Sequence, residues 1–199
     1  MRFICVLIFR LMGWKTGPTI PANYPQCVVI AAPHTSNWDL ILAIGALEIL
    51  KINAKYTIKK EWTRFPFKWL IQSTGGVPVD RSPKKEGEER RSTVDALSEL
   101  FISNKVLALL VTPEGTRKKV TKWKTGFYQV ALKAKVPILM GYVDYQNKEA
   151  GIGSIIHPTE GGFEKDMRII MDFYSKKKPK FPESFSLDLE FSGPAPSKN

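Results

Sequence analysis

Short apolar runs and segments of helical period alternate along this 199-residue chain. Gln26 to Ala32 is a compact apolar run with β-branched residues, the pattern of a buried strand. Trp38 to Lys51, rich in Leu, Ile and Ala, predicts a helix, and Ala54 to Ile58 a second strand. The aromatic and basic stretch Trp62 to Ile71, which contains Pro66, predicts a short surface helix. Gly75 to Arg81 reads as a turn into an extended segment, and Ser82 to Arg91 as a charged loop. Val94, Leu97 and Phe101 then recur at i, i+3 and i+7, which predicts an amphipathic helix. Val106 to Val111 and Pro137 to Val143 predict strands on either side of a helix over Gly126 to Ala134. Gly151 to Ile156 and Phe185 to Phe191 predict late strands, separated by a helix around Phe163 to Tyr174. The polar end, 192–199, reads as a mobile tail.

Strands alternating with helices predict a single α/β domain with a mostly parallel central sheet flanked by helices. The domain is expected to span 17–191, preceded by an amphipathic segment over 1–16. Ligands of such sheets gather beyond the carboxyl ends of the strands. No internal repeat or low-complexity segment interrupts the pattern.

Composition narrows the class. With 43% hydrophobic and 25% charged residues, the chain is globular rather than disordered. The formal net charge of +11 draws it towards polyanions: nucleic acid, an anionic membrane or phosphorylated substrates. Two cysteines, Cys5 and Cys27, exclude a disulfide framework and point to a reducing compartment. Two cysteines and two histidines, mostly far apart, argue against a zinc site, and no metal is expected. The apolar start, Met1 to Trp14, is shorter than the roughly 20 residues needed to span a bilayer. Arg2, Arg10 and Lys15 can snorkel beside it, so it can pack on the domain or lie in a membrane interface. The charge favours a peripheral location on the cytoplasmic face of a membrane.

Candidate chemistry begins with Pro33-His34-Thr35-Ser36-Asn37-Trp38-Asp39, directly after the first strand. A histidine held by a carboxylate makes a general base near neutral pH. On an unbroken helix, five residues rotate by roughly 140° and the two side chains would diverge. The pair meets only if Thr35, Ser36 and Asn37 form a turn and cap the following helix. Glu114-Gly115-Thr116-Arg117 follows another strand. Gly115 permits close backbone approach, Thr116 offers a hydroxyl, and Arg117 can grip phosphate. Glu114 could hold that arginine or accept from a substrate hydroxyl. From Gly115 to Val143 the charges are all basic: Arg117, Lys118, Lys119, Lys122, Lys124, Lys133 and Lys135. Lys59 and Arg81 are further phosphate candidates. His157 has no acidic neighbour in sequence and reads as structural.

Taken together, these blocks resemble the glycerolipid acyltransferase family, which includes the 1-acyl-glycerol-3-phosphate acyltransferases. The matching segments are His34 to Asp39 with Ser36 inside, then Lys59-Lys60-Glu61 with Gly76-Val77-Pro78-Val79-Asp80-Arg81. Pro113 to Arg117 follows with Trp123-Lys124-Thr125-Gly126-Phe127 behind it, and Val136-Pro137-Ile138 closes the set. Lys118, Trp62 and Leu139-Met140-Gly141 depart from the family pattern and leave the acceptor and acyl chain open. The resemblance implies acyl transfer from acyl-CoA or an acyl-carrier protein, as cosubstrate, to the hydroxyl of a lysophospholipid at an anionic membrane surface. It implies His34 as base and Asp39 as its orienting partner. Lys59, Arg81 and Arg117 would hold the acceptor phosphate, with no bound cofactor and no nucleic acid. A hydrolase could use the same dyad. A non-catalytic basic module that binds anionic lipid or nucleic acid could instead use its charge with Trp62, Phe65, Phe67, Trp69 and Trp123 for phosphate contacts and stacking.

Overall fold

The structure, a computed structural model, describes residues 2–17, 24–59, 68–79 and 92–193. The elements run α1 (Arg2–Leu11), β1 (Lys15–Thr16), β2 (Gln26–Ala31), α2 (Trp38–Ile49), β3 (Ala54–Lys59), α3 (Lys68–Thr74) and β4 (Gly76–Val79). They continue with α4 (Thr93–Ser103), β5 (Leu107–Val111), α5 (Gly126–Ala134), β6 (Ile138–Asp144), β7 (Glu149–Ile156) and α6 (Phe163–Ser175). The strands form one sheet in the order β1-β7-β6-β2-β5-β3-β4. Every described pairing is parallel except β6 with β7. The expected α/β architecture is therefore the one observed.

The apolar runs are continuous because both faces of the sheet are covered. Val28, Ile30, Leu107, Leu109, Ile138 and Met140 face α4, α5 and α6. Cys27, Val29, Ala108, Leu110 and Leu139 face the opposite way, towards α1 and α2. Burial pushes the Cys27 thiol up to about 12 and raises that of Cys5. Both cysteines are free and act as small apolar residues.

Helix α1 packs along α2, where Gly45 lets the chains approach: a Cβ there would come within 2.8 Å of the Cys5 carbonyl. Arg2 fixes the start of α1 by donating to the Ala54 carbonyl at 2.6 Å. Cys5 and Phe9 are buried, yet Phe3, Ile4, Leu7, Leu11 and Met12 face outward, with Phe3 75% and Leu11 78% exposed. The helix thus has one apolar face on the core and a second that the fold leaves bare. Gly13, with φ of +73°, turns the chain into Trp14 and the two-residue strand β1, which sequence pattern did not reveal. Among the described residues, no helix is long and apolar enough to cross a membrane.

The strand expected over Phe185 to Phe191 is not formed; those residues are irregular chain and turns. The apolar alternation breaks at Asp188, which is fully buried while Leu189 points outward. Asp188 Oδ2 accepts from the Trp123 amide at 2.7 Å, and Oδ1 from the Glu190 amide at 3.0 Å. The Trp123 indole donates to the Ser186 carbonyl at 3.0 Å, and the Leu189 amide to the Thr121 carbonyl at 3.1 Å. This segment clamps the loop that follows Arg117. Gly193, expected to lie in a mobile tail over 192–199, accepts from Arg168 at 2.9 Å; 194–199 lie outside the described residues, as does most of the helix expected over Trp62 to Ile71. Replacing Asp188 with alanine leaves two amides without their acceptor and should cost about 3 kcal/mol in urea unfolding. A loss below about 1 kcal/mol would contradict this role.

Candidate active site

The parallel strands place the motif segments along one edge of the sheet. Reading across it, β6 leads to Tyr145, β2 to His34, β5 to Glu114, and β3 ends at Lys59. Strand β4 ends at Val79, two residues before Arg81, which lies outside the described residues. At about 4.8 Å per strand, the end of β3 lies roughly 10 Å from that of β2.

Between β2 and α2 the chain makes the tight turn the spacing requires. Its centre is the Asp39 carboxylate, 4% exposed. Oδ2 accepts from the Thr35 and Ser36 amides, both at 2.7 Å, and lies 3.3 Å from His34 Nδ1. Oδ1 accepts from the Tyr145 hydroxyl at 2.7 Å. Burial, followed by the bond to Asp39 and its charge, raises the Tyr145 phenol, which keeps it a donor. The Ser36 hydroxyl accepts from the Trp38 amide at 3.2 Å, whereas Asn37 makes no side-chain cap. Of the three turn residues, Ser36 does the capping and Asp39 reaches back for the rest.

Glu114 is also buried, at 5% exposure. Its Oε1 accepts from the His34 amide at 3.1 Å, so the carboxyl engages the dyad loop and not Arg117. Oε2 is buried without a partner among the described residues. Burial pushes the Glu114 carboxyl up to about 8; the Asp39 charge adds to the shift and the His34 amide opposes it. Beneath, the fully buried Tyr174 hydroxyl meets the Ile30 and Gly141 carbonyls at 3.1 and 2.8 Å, tying α6 to both strands under the site.

Arg117 is exposed on the loop three residues beyond Glu114, and Thr116 accepts from the Lys118 amide at 3.3 Å. Gly115, at φ +68°, is covered by Lys124: a Cβ there would fall 2.7 Å from the Lys124 ammonium. The one-sided basic run is less one-sided in space. Lys133 pairs with Asp95 at 2.5 Å and Lys122 with Glu190 at 2.9 Å. Trp123 is buried and unavailable for stacking. His157 emerges after antiparallel β7, at the opposite end of the sheet from His34, where it meets Tyr24.

An apolar cavity of about 40 Å³ opens at His34 and Asp39. Its walls include Val29, Ala31, Leu40, Ala43, Leu47 and Val143. From Leu40 to Leu47 the cavity follows α2 for roughly 10 Å.

A histidine–carboxylate pair at the carboxyl edge of a parallel sheet, above an apolar cavity, is an arrangement suited to proton-assisted chemistry on an amphipathic substrate. Residues 19–141, more than half of the chain, match the Acyltransferase family, and the chain belongs to that family. It is also similar to the crystal structure of the 1-acyl-sn-glycerophosphate (LPA) acyltransferase PlsC from Thermotoga maritima. That match has a TM-score of 0.58 and 19% identity, and it covers 89% of this chain and 80% of that one. Likeness at this identity establishes a shared fold. No curated protein matches the chain.

The raised Glu114 carboxyl has a defined consequence. Its folded value lies above the ordinary one, so the folded protein binds the extra proton between about pH 4.5 and 8. Stability is greatest below that window and falls as pH rises through it. Glu114→Gln keeps the acceptor for the His34 amide and should remove this component. Urea unfolding at pH 5 and 8.5 should show the native protein losing ground to the variant at the higher pH; a pH-independent difference would contradict the assignment.

Proposed function

We propose that the chain moves a fatty acyl group from a thioester to the hydroxyl of a lysophospholipid such as 1-acyl-glycerol-3-phosphate, with His34 as general base. The observation that supports this best is the meeting of His34 with Asp39 at an apolar cavity that both residues line. Nδ1 faces the carboxylate, and among the described residues nothing bonds Nε2. In the reaction, Nε2 takes the acceptor proton as the oxygen attacks the thioester carbonyl. Collapse of the tetrahedral intermediate breaks the C–S bond, and the imidazolium returns its proton to the leaving thiolate. Asp39 fixes the tautomer and stabilises the imidazolium.

Family membership supports acyl transfer as the reaction class. The mostly apolar cavity wall beside the dyad suits the first methylenes of an acyl chain, next to the thioester carbonyl. Arg117 and Lys59 come from neighbouring segments on the β5 side; with Arg81, which lies outside the described residues, they would hold the acceptor phosphate. The bare apolar face of α1, with Arg10 and Lys15 nearby, suits contact with an anionic lipid surface from which such an acceptor would be drawn.

A mass-spectrometric screen of lysolipid acceptors against acyl-CoA and acyl-carrier donors tests this reading. The native protein should form the diacyl product. His34→Ala should lower turnover by at least about a hundredfold while remaining folded. Thioester loss that needs no acceptor would instead make the protein a hydrolase, and full activity in His34→Ala would remove the base.

A further inference from the structure

Beyond α6 the chain reads Lys176-Lys177-Lys178-Pro179-Lys180-Phe181, and no acidic residue lies between Asp172 and Glu183. This segment is fastened to the dyad loop. The Phe181 amide donates to Thr35 Oγ1 at 3.3 Å, one residue from His34. The Lys178 carbonyl accepts from the amide of Tyr145 at 2.9 Å, the residue that holds Asp39. Pro179 is buried between these two anchors. The strap therefore holds its lysines beside the site whether or not anything neutralises them.

Two of those charges are accounted for. Lys176 pairs with Asp172 at 2.7 Å, and the Lys177 ammonium lies 3.7 Å from the centre of the Tyr142 ring. Among the described residues, Lys178 and Lys180 meet no carboxylate. The Lys180 ammonium instead lies 5.5 Å from the Trp38 ring and 5.6 Å from that of Phe181. Both rings are well exposed, Trp38 at 40% and Phe181 at 42%. Fixed like charges repel one another, and an anionic ligand relieves that repulsion.

Position on the edge decides which anion. The acceptor-phosphate candidates Arg117 and Lys59 follow β5 and β3, on one side of His34. The strap lies on the other side, against β6. In a transfer between two phosphate-bearing partners, a cationic bank on each side of the base keeps the like-charged phosphates apart. We propose that Lys178 and Lys180, with Trp38 and Phe181, receive the phosphorylated pantetheine carrier of the acyl thioester. This rests on the acyl-transfer reading above. The lysines act as point charges on the carrier phosphate, while the two rings offer apolar surface to the pantetheine arm.

The test compares the native protein with Lys178→Glu/Lys180→Glu, using Lys105→Glu/Lys135→Glu, at the far end of the sheet, as a control that makes the same change in net charge. At low salt the double variant should raise the KM for acyl-CoA or acyl-carrier protein about tenfold, and the effect should shrink as salt is added. Whichever donor shows the rise is the carrier the strap receives. The KM for the lysolipid, and kcat/KM with an acyl-N-acetylcysteamine donor that has no phosphate, should stay within about twofold. A rise in the acceptor KM alone, or no change with any donor, overturns the proposal. Should the native protein transfer no acyl group, the functional reading fails separately. Equilibrium dialysis with free CoA then decides: binding weakened at least about fivefold in the double variant supports the strap, and equal binding overturns it.

Discussion

The Asp39 carboxylate is the constraint on which the site depends. It takes the Thr35 and Ser36 amides, the Tyr145 hydroxyl and the approach of His34 Nδ1. Buried carboxylates are tolerated only when donors surround them, and here they do. The two amide bonds also close the strand-to-helix turn, so the same group that orients the imidazole folds the loop bearing it. Tyr145 extends this support to β6, and its ring packs edge-on against Trp14 at 5.0 Å, just beyond α1. The N-terminal helix and the dyad are thereby joined through consecutive packed side chains.

Glu114 supplies a contrasting carboxyl a few residues' breadth away. Asp39 has four approaches to its oxygens; Glu114 has one, and burial keeps it largely protonated at neutral pH. A second full charge beside Asp39 would oppose the arrangement. Glu114 therefore serves the loop as an uncharged acceptor, and the pocket carries the negative charge where the imidazole can use it. Outside the pocket the charge balance is reversed, with basic segments on both flanks of His34.

Much of this was legible in the chain. Buried strands announced themselves as continuous apolar runs because both sheet faces are covered, and the turn between His34 and Asp39 followed from helical geometry alone. The carboxyl-edge placement of His34 and Glu114 followed from the strand–helix alternation. Other features depend on partners distant in sequence. Tyr145 lies 106 residues from Asp39, and no local pattern marks it. Glu114 looked available for Arg117 because the two are neighbours in sequence, whereas folding turns its side chain onto His34. The Phe185 to Phe191 alternation imitated a strand because apolar residues there pack at intervals around one buried aspartate. Lys133 and Lys122 seemed unopposed because Asp95 and Glu190 belong to remote segments.

The account turns on one relation, a carboxylate that makes the neighbouring imidazole a base. Single-turnover acyl transfer by Asp39→Asn tests it most directly, since the amide keeps the size of the side chain while removing its charge. With the fold preserved by circular dichroism, the chemical step should slow at least about a hundredfold. A step that keeps its native rate would show that His34 does not work through Asp39.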